Sequence, residues 1–242
     1  MRLSLAGLAI AVSLQLASAK DFQKNYVLPS GGHIIIENIL GDVKVTGYKG
    51  SVIIAVAKKK GIDSDSVEIL DTSFGNRIEI HIRPTQFQPM NATVNFEIRV
   101  PNSIEYNFAR LSSFGGNVVV SDVVGRLRAE SVRGNVALRD VRGLVSASSF
   151  SGNVKIEMGE GQDRNNMSFS SISGNIDISA PSNLDALVEM SSASGILKTD
   201  FPLEIQESRY GPGRSARGRL GKGKQILHIR SVTGRVSLIQ KG

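Results

Sequence analysis

GNVVVSDVVGRLRAESVRGNVALRDVRGLVSASSFSG, residues 116–152, places a glycine every nine residues, at Gly116, Gly125, Gly134, Gly143 and Gly152. The units between them alternate. One begins Gly-Asn-Val, as at Gly116, Gly134 and Gly152; the other follows Gly125 and Gly143 and reads G-x-(L/V)-x-A-x-S-(V/F). The repeat is therefore eighteen residues long and made of two unlike halves. A fixed period near twenty is the mark of a solenoid, in which each unit buries its apolar face only by stacking on its neighbours.

Alignment on the Gly-Asn-Val glycine extends the pattern. The serine three residues earlier recurs as Ser113, Ser131, Ser149, Ser171, Ser192 and Ser231. Two residues before the glycine stand Phe114, Val132, Phe150, Ile172, Ala193 and Val232; two after it come Val118, Val136, Val154, Ile176, Leu197 and Val236. Glycine spacings are 18, 18, 22, 21 and 39, with small insertions around Gly159–Asn166 and Pro181–Asp185. The last gap is close to two rungs, one of them disguised. Period-two alternation within each half means strands with one buried face.

The expectation is an all-β β-solenoid, a single-stranded β-helix or flattened β-roll of about 18–22 residues per turn. Recurrence of glycine at nine, and Glu130 breaking a six-residue series, favour the flattened form with two strands per turn. Sequential turns would stack about 4.8 Å apart. Glycine would supply the corners, by positive φ or by close approach of two backbones. Asn117, Asn135, Asn153 and Asn175 would form an amide ladder and the serines a second one.

The same spacing begins earlier, at Gly32, Gly41 and Gly50. An entry strand over Phe22–Leu28 precedes it. Residues 61–110 carry longer, less regular strands, with a hairpin between Val67–Asp71 and Arg77–Arg83 and a two-proline loop at Pro84–Met90. Lys58–Lys60 reads as an edge guard, since lysines discourage unwanted strand pairing.

Residues 1–19 read as a signal peptide. Arg2 is followed by a short apolar run, Leu3–Leu16, and Ala17-Ser18-Ala19 offers a cleavage site after Ala19. With no cysteine anywhere, lipoprotein attachment and disulfide staples are both excluded. The remaining 20–242 form one elongated domain with no membrane-spanning run. The whole chain has a net charge of +7. That balance favours anionic envelope polymers, lipid headgroups or another protein as partners and makes nucleic acid the weaker expectation for an exported protein.

Candidate chemistry is sparse. His33, His81 and His228 lie far apart in sequence without metal-ligand spacing, and the aspartates and paired glycines of calcium-binding nonapeptides are missing. Asp122 and Asp140, eighteen apart, would stack at roughly the separation of a retaining glycosidase pair, but neighbouring arginines make a surface ion-pair ladder the simpler account. A serine row with no partnered histidine is a hydrogen-bonding feature. No cofactor and no enzymatic activity are expected. The most distinctive non-repeat segment is 207–225, read as a basic Gly-rich loop. Its Arg209, Arg214, Arg217, Arg219, Lys222 and Lys224 could close on phosphate or carboxylate groups through side chains and backbone N–H groups.

The Val100-Pro101-Asn102-Ser103-Ile104 segment, the Ser-x-x-Gly-Asn-Val units and the closing Gly223–Gly234 stretch resemble a family of bacterial exported β-strand-repeat domains of unknown function, adhesin-like in description. That resemblance implies a β-solenoid at the cell envelope, periplasmic, cell-surface or secreted. It implies an adhesive or scaffolding role and brings no catalytic residues. An anion-binding module and a carbohydrate-active β-helix enzyme are the alternatives.

Overall fold

The computed structural model describes residues 21–85, 91–159 and 165–241. The expected signal peptide with its cleavage after Ala19, most of the Pro84–Met90 loop and most of the Gly159–Asn166 insertion lie outside the described residues. Strands follow one another almost without interruption. β1 (Phe22–Tyr26) precedes β2 (His33–Asn38) and β3 (Val43–Tyr48). β4 (Ile53–Lys60), β5 (Val67–Asp71), β6 (Arg77–Pro84) and β7 (Thr93–Pro101) come next. Four regular rungs then pair β8 (Glu105–Ser113) with β9 (Val118–Ser121), β10 (Val124–Ser131) with β11 (Val136–Arg139), β12 (Val145–Ser149) with β13 (Val154–Glu157), and β14 (Met167–Ser171) with β15 (Ile176–Ala180). The chain ends with β16 (Ala186–Ser192), β17 (Leu197–Thr199), β18 (Ile205–Glu207), β19 (Arg214–Arg219), β20 (Gln225–Ser231) and β21 (Val236–Gln240).

These strands form two facing sheets, ordered β1-β4-β7-β3-β9-β11-β13-β15-β21-β17 and β18-β19-β16-β20-β14-β12-β10-β8-β2-β6-β5. The fold is a flattened β-solenoid. Each rung gives one parallel strand to each sheet, and equivalent residues meet in register: Val118, Val136, Val154 and Ile176 are successive neighbours, as are Ala129, Ala147 and Phe169. Inward positions fill one contiguous apolar core. Within a row, volumes compensate: Leu111, Ala129, Ala147 and Phe169 are all buried in one line. β8 carries one extra residue against both neighbours, a bulge at Ala109 that absorbs the irregular segment before the regular rungs.

Stacking is not sequential at either end, which corrects the expectation of successive turns. β2 and β3, first in sequence, lie between the rung of β6 and β7 and that of β8 and β9. β20 and β21, last in sequence, slot between β14/β15 and β16/β17. The 39-residue glycine gap therefore hides no disguised rung. It holds the antiparallel β18–β19 pair, which covers the outer edge of β16, and the return into the stack. At the opposite end β1 and β4 pair antiparallel beside β7, and β5 pairs antiparallel with β6. Lys58–Lys60 extend β4 beyond the residues that β1 covers, consistent with guarding a bare edge.

The Gly-Asn-Val corner works by close approach. A Cβ on Gly134 would lie 2.1 Å from the Gly116 carbonyl oxygen, one on Gly152 2.1 Å from that of Gly134, and one on Gly174 2.1 Å from that of Gly152. No side chain fits there. At the other corner Gly125 (φ 137°) and Gly143 (φ 117°) need positive φ as well, and the turns leading to them place Asp122 (φ 59°) and Asp140 (φ 49°) in the left-handed region.

The polar rows stitch the rungs together. Ser149 Oγ donates to the Gly134 carbonyl one rung back (2.8 Å) and accepts from the Gly152 amide of its own rung (2.8 Å). Ser131, Ser192 and Ser231 repeat both bonds. Asn38 takes the serine's place in the first rung, donating to Gly41 and Val94 carbonyls. The asparagine ladder differs from the expected amide-to-amide stack: each Oδ1 accepts chiefly from the next rung's backbone amide. Asn117 receives Asn135 N, Asn135 receives Asn153 N, and Asn153 receives Asn175 N, each at 2.9 Å. The run starts where Asn95 Oδ1 accepts from Asp42 N, passes through Asp42, which accepts from Asn117 N, and closes with Arg235 N on Asn175.

Across the capped end, Lys24 and Tyr26 of β1 both reach the Asp71 carboxylate on β5. Burial acts to raise the Asp71 pKa, but hydrogen bonds from Lys24, Ser73 and Tyr26 outweigh it and hold it at about 2.

Two outcomes follow from these contacts. Gly134→Ala should cost about 3 kcal/mol or more, whereas Gly213→Ala, whose Cβ would meet nothing closer than 3.5 Å, should stay within about 0.5 kcal/mol. Equal losses in urea unfolding would refute the close-approach account. Asp71 has a depressed folded pKa, so its contribution, about 2 kcal/mol, is present above pH ~4 and lost as pH falls toward 2. The stability gap between wild type and Asp71→Asn should therefore narrow over that window; a gap independent of pH would exclude the assignment.

Candidate functional site

The six cations expected to form an anion site are not on a free loop. Arg214, Arg217 and Arg219 belong to strand β19, which pairs with β16 and β18 and caps the sheet; only Arg209, Lys222 and Lys224 lie in turns. Of the glycines that suggested a loop, Gly218 lies within this strand opposite Val188, and Gly211, Gly213, Gly221 and Gly223 flank its two ends. Three of the cations meet carboxylates of the chain itself: Arg214 with Glu207 (3.2 Å), Arg217 with Glu189 (3.0 Å) and Lys224 with Asp185 (3.5 Å). The backbone N–H groups of Lys222 and Lys224 donate to Asp185 at 2.7 and 3.2 Å. Burial acts against the charged form of Asp185, yet amides from Lys224, Lys222 and Gly223 hold its pKa below the usual carboxylate range. The basic turn does close on a carboxylate, and that carboxylate is internal.

The other candidates are dispersed. Asp122 and Asp140 occupy equivalent left-handed turns, and Asp122 faces Arg139 at 3.9 Å. Their stacking follows from turn geometry. His33 meets Asn107 (3.1 Å) and His228 meets Glu189 (3.1 Å). Among the described residues no group of three or more His, Cys, Asp or Glu side chains could hold a metal ion, and no helix is long and apolar enough to cross a membrane.

A continuous feature does run along the Gly-Asn-Val corner. The serine row points inward and is buried, so period-two alternation turns the residues on both sides of it outward. On one side stand Phe114, Val132, Phe150, Ile172 and Val232, exposed at 46, 38, 54, 41 and 42%. On the other stand Ser112, Glu130, Ser148, Ser170 and Arg230, aligned rung by rung. The two rows wall a shallow groove of about 520 Å³, floored by the serine row. One wall is apolar and the other carries hydroxyls with a charge toward each end. The Arg133 guanidinium lies over the Phe114 ring, 5.2 Å from its centroid.

This stripe was present in the aligned sequence as a column of apolar residues. Its outward direction was also legible, because a side chain next to a buried serine must face the other way. It was missed as a site because apolar columns in repeats are usually core.

The recurrence of one corner through β2–β21 decides the family. The chain belongs to the Toastrack DUF4097 family. The match spans residues 33–238, from the start of β2 to the middle of β21. Among solved structures, a "putative cell adhesion protein" from Clostridium sporogenes is similar over 92% of this chain and 100% of its own, with 12% identity and a TM-score of 0.55. A "putative adhesin" from Bacteroides fragilis matches over 93% of this chain and 98% of its own, with 13% identity and a TM-score of 0.35. At such identities the first likeness speaks for the Toastrack fold, and the second adds nothing to it. None of the curated proteins matches the chain.

The stripe should be separable from the core by mutation. Phe150→Ser should change stability by less than about 1 kcal/mol, while Phe169→Ser, at a fully buried position, should cost about 3–5 kcal/mol. Phe150→Ser should also lower binding of an apolar fluorescent dye; unchanged dye binding would mean that the groove is not the main exposed apolar surface.

Proposed function

We propose that this Toastrack protein is a non-enzymatic, adhesin-like binding scaffold of the cell envelope whose contact surface is the groove along the Gly-Asn-Val corner. The observation that carries this reading is the unbroken exposed row Phe114–Val132–Phe150–Ile172–Val232 beside a hydroxyl-bearing wall. An aligned apolar row rimmed by polar residues is the usual composition of a contact site, whereas scattered surface apolar residues are not. The leader-like segment 1–19 supports export. The name of the Clostridium sporogenes protein is in keeping with this role. A rigid stack suits it too, since the polar wall sits on strands paired on both sides, each apolar contact residue follows directly on the end of such a strand, and little ordering is required on binding.

The test is capture of intact envelopes by the immobilised protein at low and high salt. Phe150→Glu should cut capture about tenfold or more, and Lys155→Glu, on the outward face of the other sheet, should leave it unchanged. An apolar contact should persist at high salt. Capture that collapses with salt and ignores Phe150 would replace the groove with the basic segment as the contact surface.

A further inference from the structure

We infer that the occupant of the groove is a second copy of this chain, seated antiparallel about a twofold axis between the Phe150 and Ile172 rungs. This rests on the groove being the contact surface and names its partner.

Beyond the rung of Asn38, the order of the six rungs along the corner is Phe114, Val132, Phe150, Ile172, Val232, Ala193, because the rung of β20 and β21 is inserted before that of β16 and β17. A twofold axis lying across the stripe reverses this order and keeps each row facing its own kind. The first rung then meets the sixth, the second the fifth and the third the fourth. Phe114, the bulky end of the stripe, faces Ala193, the smallest member. Phe150 faces Ile172 on both sides of the axis. In the polar wall, Ser148 faces Ser170, and Glu130 faces Arg230, twice.

That last pairing gives the register its chemistry. Arg230 lines the groove and has no carboxylate partner among the described residues. Glu130 is only partly used: Arg128 Nε donates to its Oε1 at 2.8 Å, while its Oε2 is 3.9 Å from Arg110 Nε, too long for a hydrogen bond. Oε2 is thus open to a further donor. The inserted last rung is what puts Arg230 at the symmetric position. Were the stack sequential, β16 would supply the fifth rung and Ser191 would face Glu130.

Six rungs about 4.8 Å apart and three side-chain rows wide make roughly 400 Å² per copy, about half of a standard interface. Such a contact associates weakly and is strengthened when many copies are arrayed on one surface. Homophilic contact between arrayed copies is the form of adhesion it suits.

Sedimentation equilibrium of the purified protein over a series to about 1 mM tests this. The expected result is reversible monomer–dimer exchange that Phe150→Glu abolishes. Glu130→Arg and Arg230→Glu should each weaken it at least tenfold, and the two together should restore it to within about threefold of wild type. A monomer at every concentration overturns the inference, as does a double variant weaker than either single one. If the protein stays monomeric while Phe150→Glu still abolishes envelope capture, the groove remains the contact surface and its partner is another molecule. If Phe150→Glu alters neither self-association nor capture, both readings fall.

Discussion

Everything in this molecule depends on the contact between one rung's glycine and the carbonyl of the glycine below it. Cβ positions only 1.9–2.1 Å from a backbone oxygen, from Gly116 through to Gly195, mean that the rungs touch backbone to backbone at this corner. So close a corner has no room for water, so its N–H and C=O groups need partners within the protein. The serine three residues earlier is the smallest side chain that can both donate and accept there. Its burial then fixes the alternation of the strand leading into the corner. The two neighbouring positions are forced outward, and the groove exists because the serine does not face it. A structural necessity at the corner thus creates a surface feature along the whole stack.

A parallel stack has a second problem, its ends. Unpaired strand edges invite uncontrolled pairing, and chain termini fray. The rungs answer this by their order, while β1, the first described strand, lies at the sheet edge against β4. The first and last rungs in sequence are placed one step inside the stack, where each has a neighbour on both faces. The outermost rungs come from the chain's middle portions and are tethered on both sides. Antiparallel strands then cover one edge of β7, one of β6 and one of β16, with a direction of pairing that a further parallel rung cannot extend. The basic segment belongs to this arrangement. Two of its arginines on β19, Arg217 and Arg214, answer Glu189 of β16 and Glu207 of β18, and its lysine turn wraps Asp185.

Local rules were readable in the sequence and long-range order was not. The flattened two-strand turn, the inward apolar columns, the buried serines and the asparagine row follow from an eighteen-residue period, because each concerns a residue and its equivalent in a neighbouring rung. The placement of β20 and β21 does not. A parallel strand pairs as well with one rung as with another when all carry the same column pattern, so periodicity cannot say which neighbour is chosen. The 39-residue gap between Gly195 and Gly234 was the one local hint, and it reads equally as a degenerate rung. The basic segment misled for a related reason: Gly211, Gly213, Gly218, Gly221 and Gly223 look like a loop, yet Arg214–Arg219 forms a strand whose place is set by pairing with β16, well back in the sequence, as well as with its neighbour β18.

The apolar stripe can be explained in part by the stack alone. Its side chains stand in adjacent rungs, about one strand spacing apart, where neighbours in the row can shield part of one another. That contact would be served by any aliphatic residue, and it does not account for the half that remains exposed, nor for Arg230 having no carboxylate partner among the described residues. A ladder needed only for stacking would gain from a polar or charged outer end at every rung, as on the outward face of the ten-stranded sheet, where Lys155 meets Glu157 and Arg235 meets Asp177. The corner keeps Phe114, Val132, Phe150, Ile172 and Val232 in succession instead, with Glu130 and Arg230 on the opposite wall and Arg133 lying over the Phe114 ring. Exposed apolar surface in an unbroken line costs solubility without adding to the corner's hydrogen bonds. It is best accounted for by a contact that covers it.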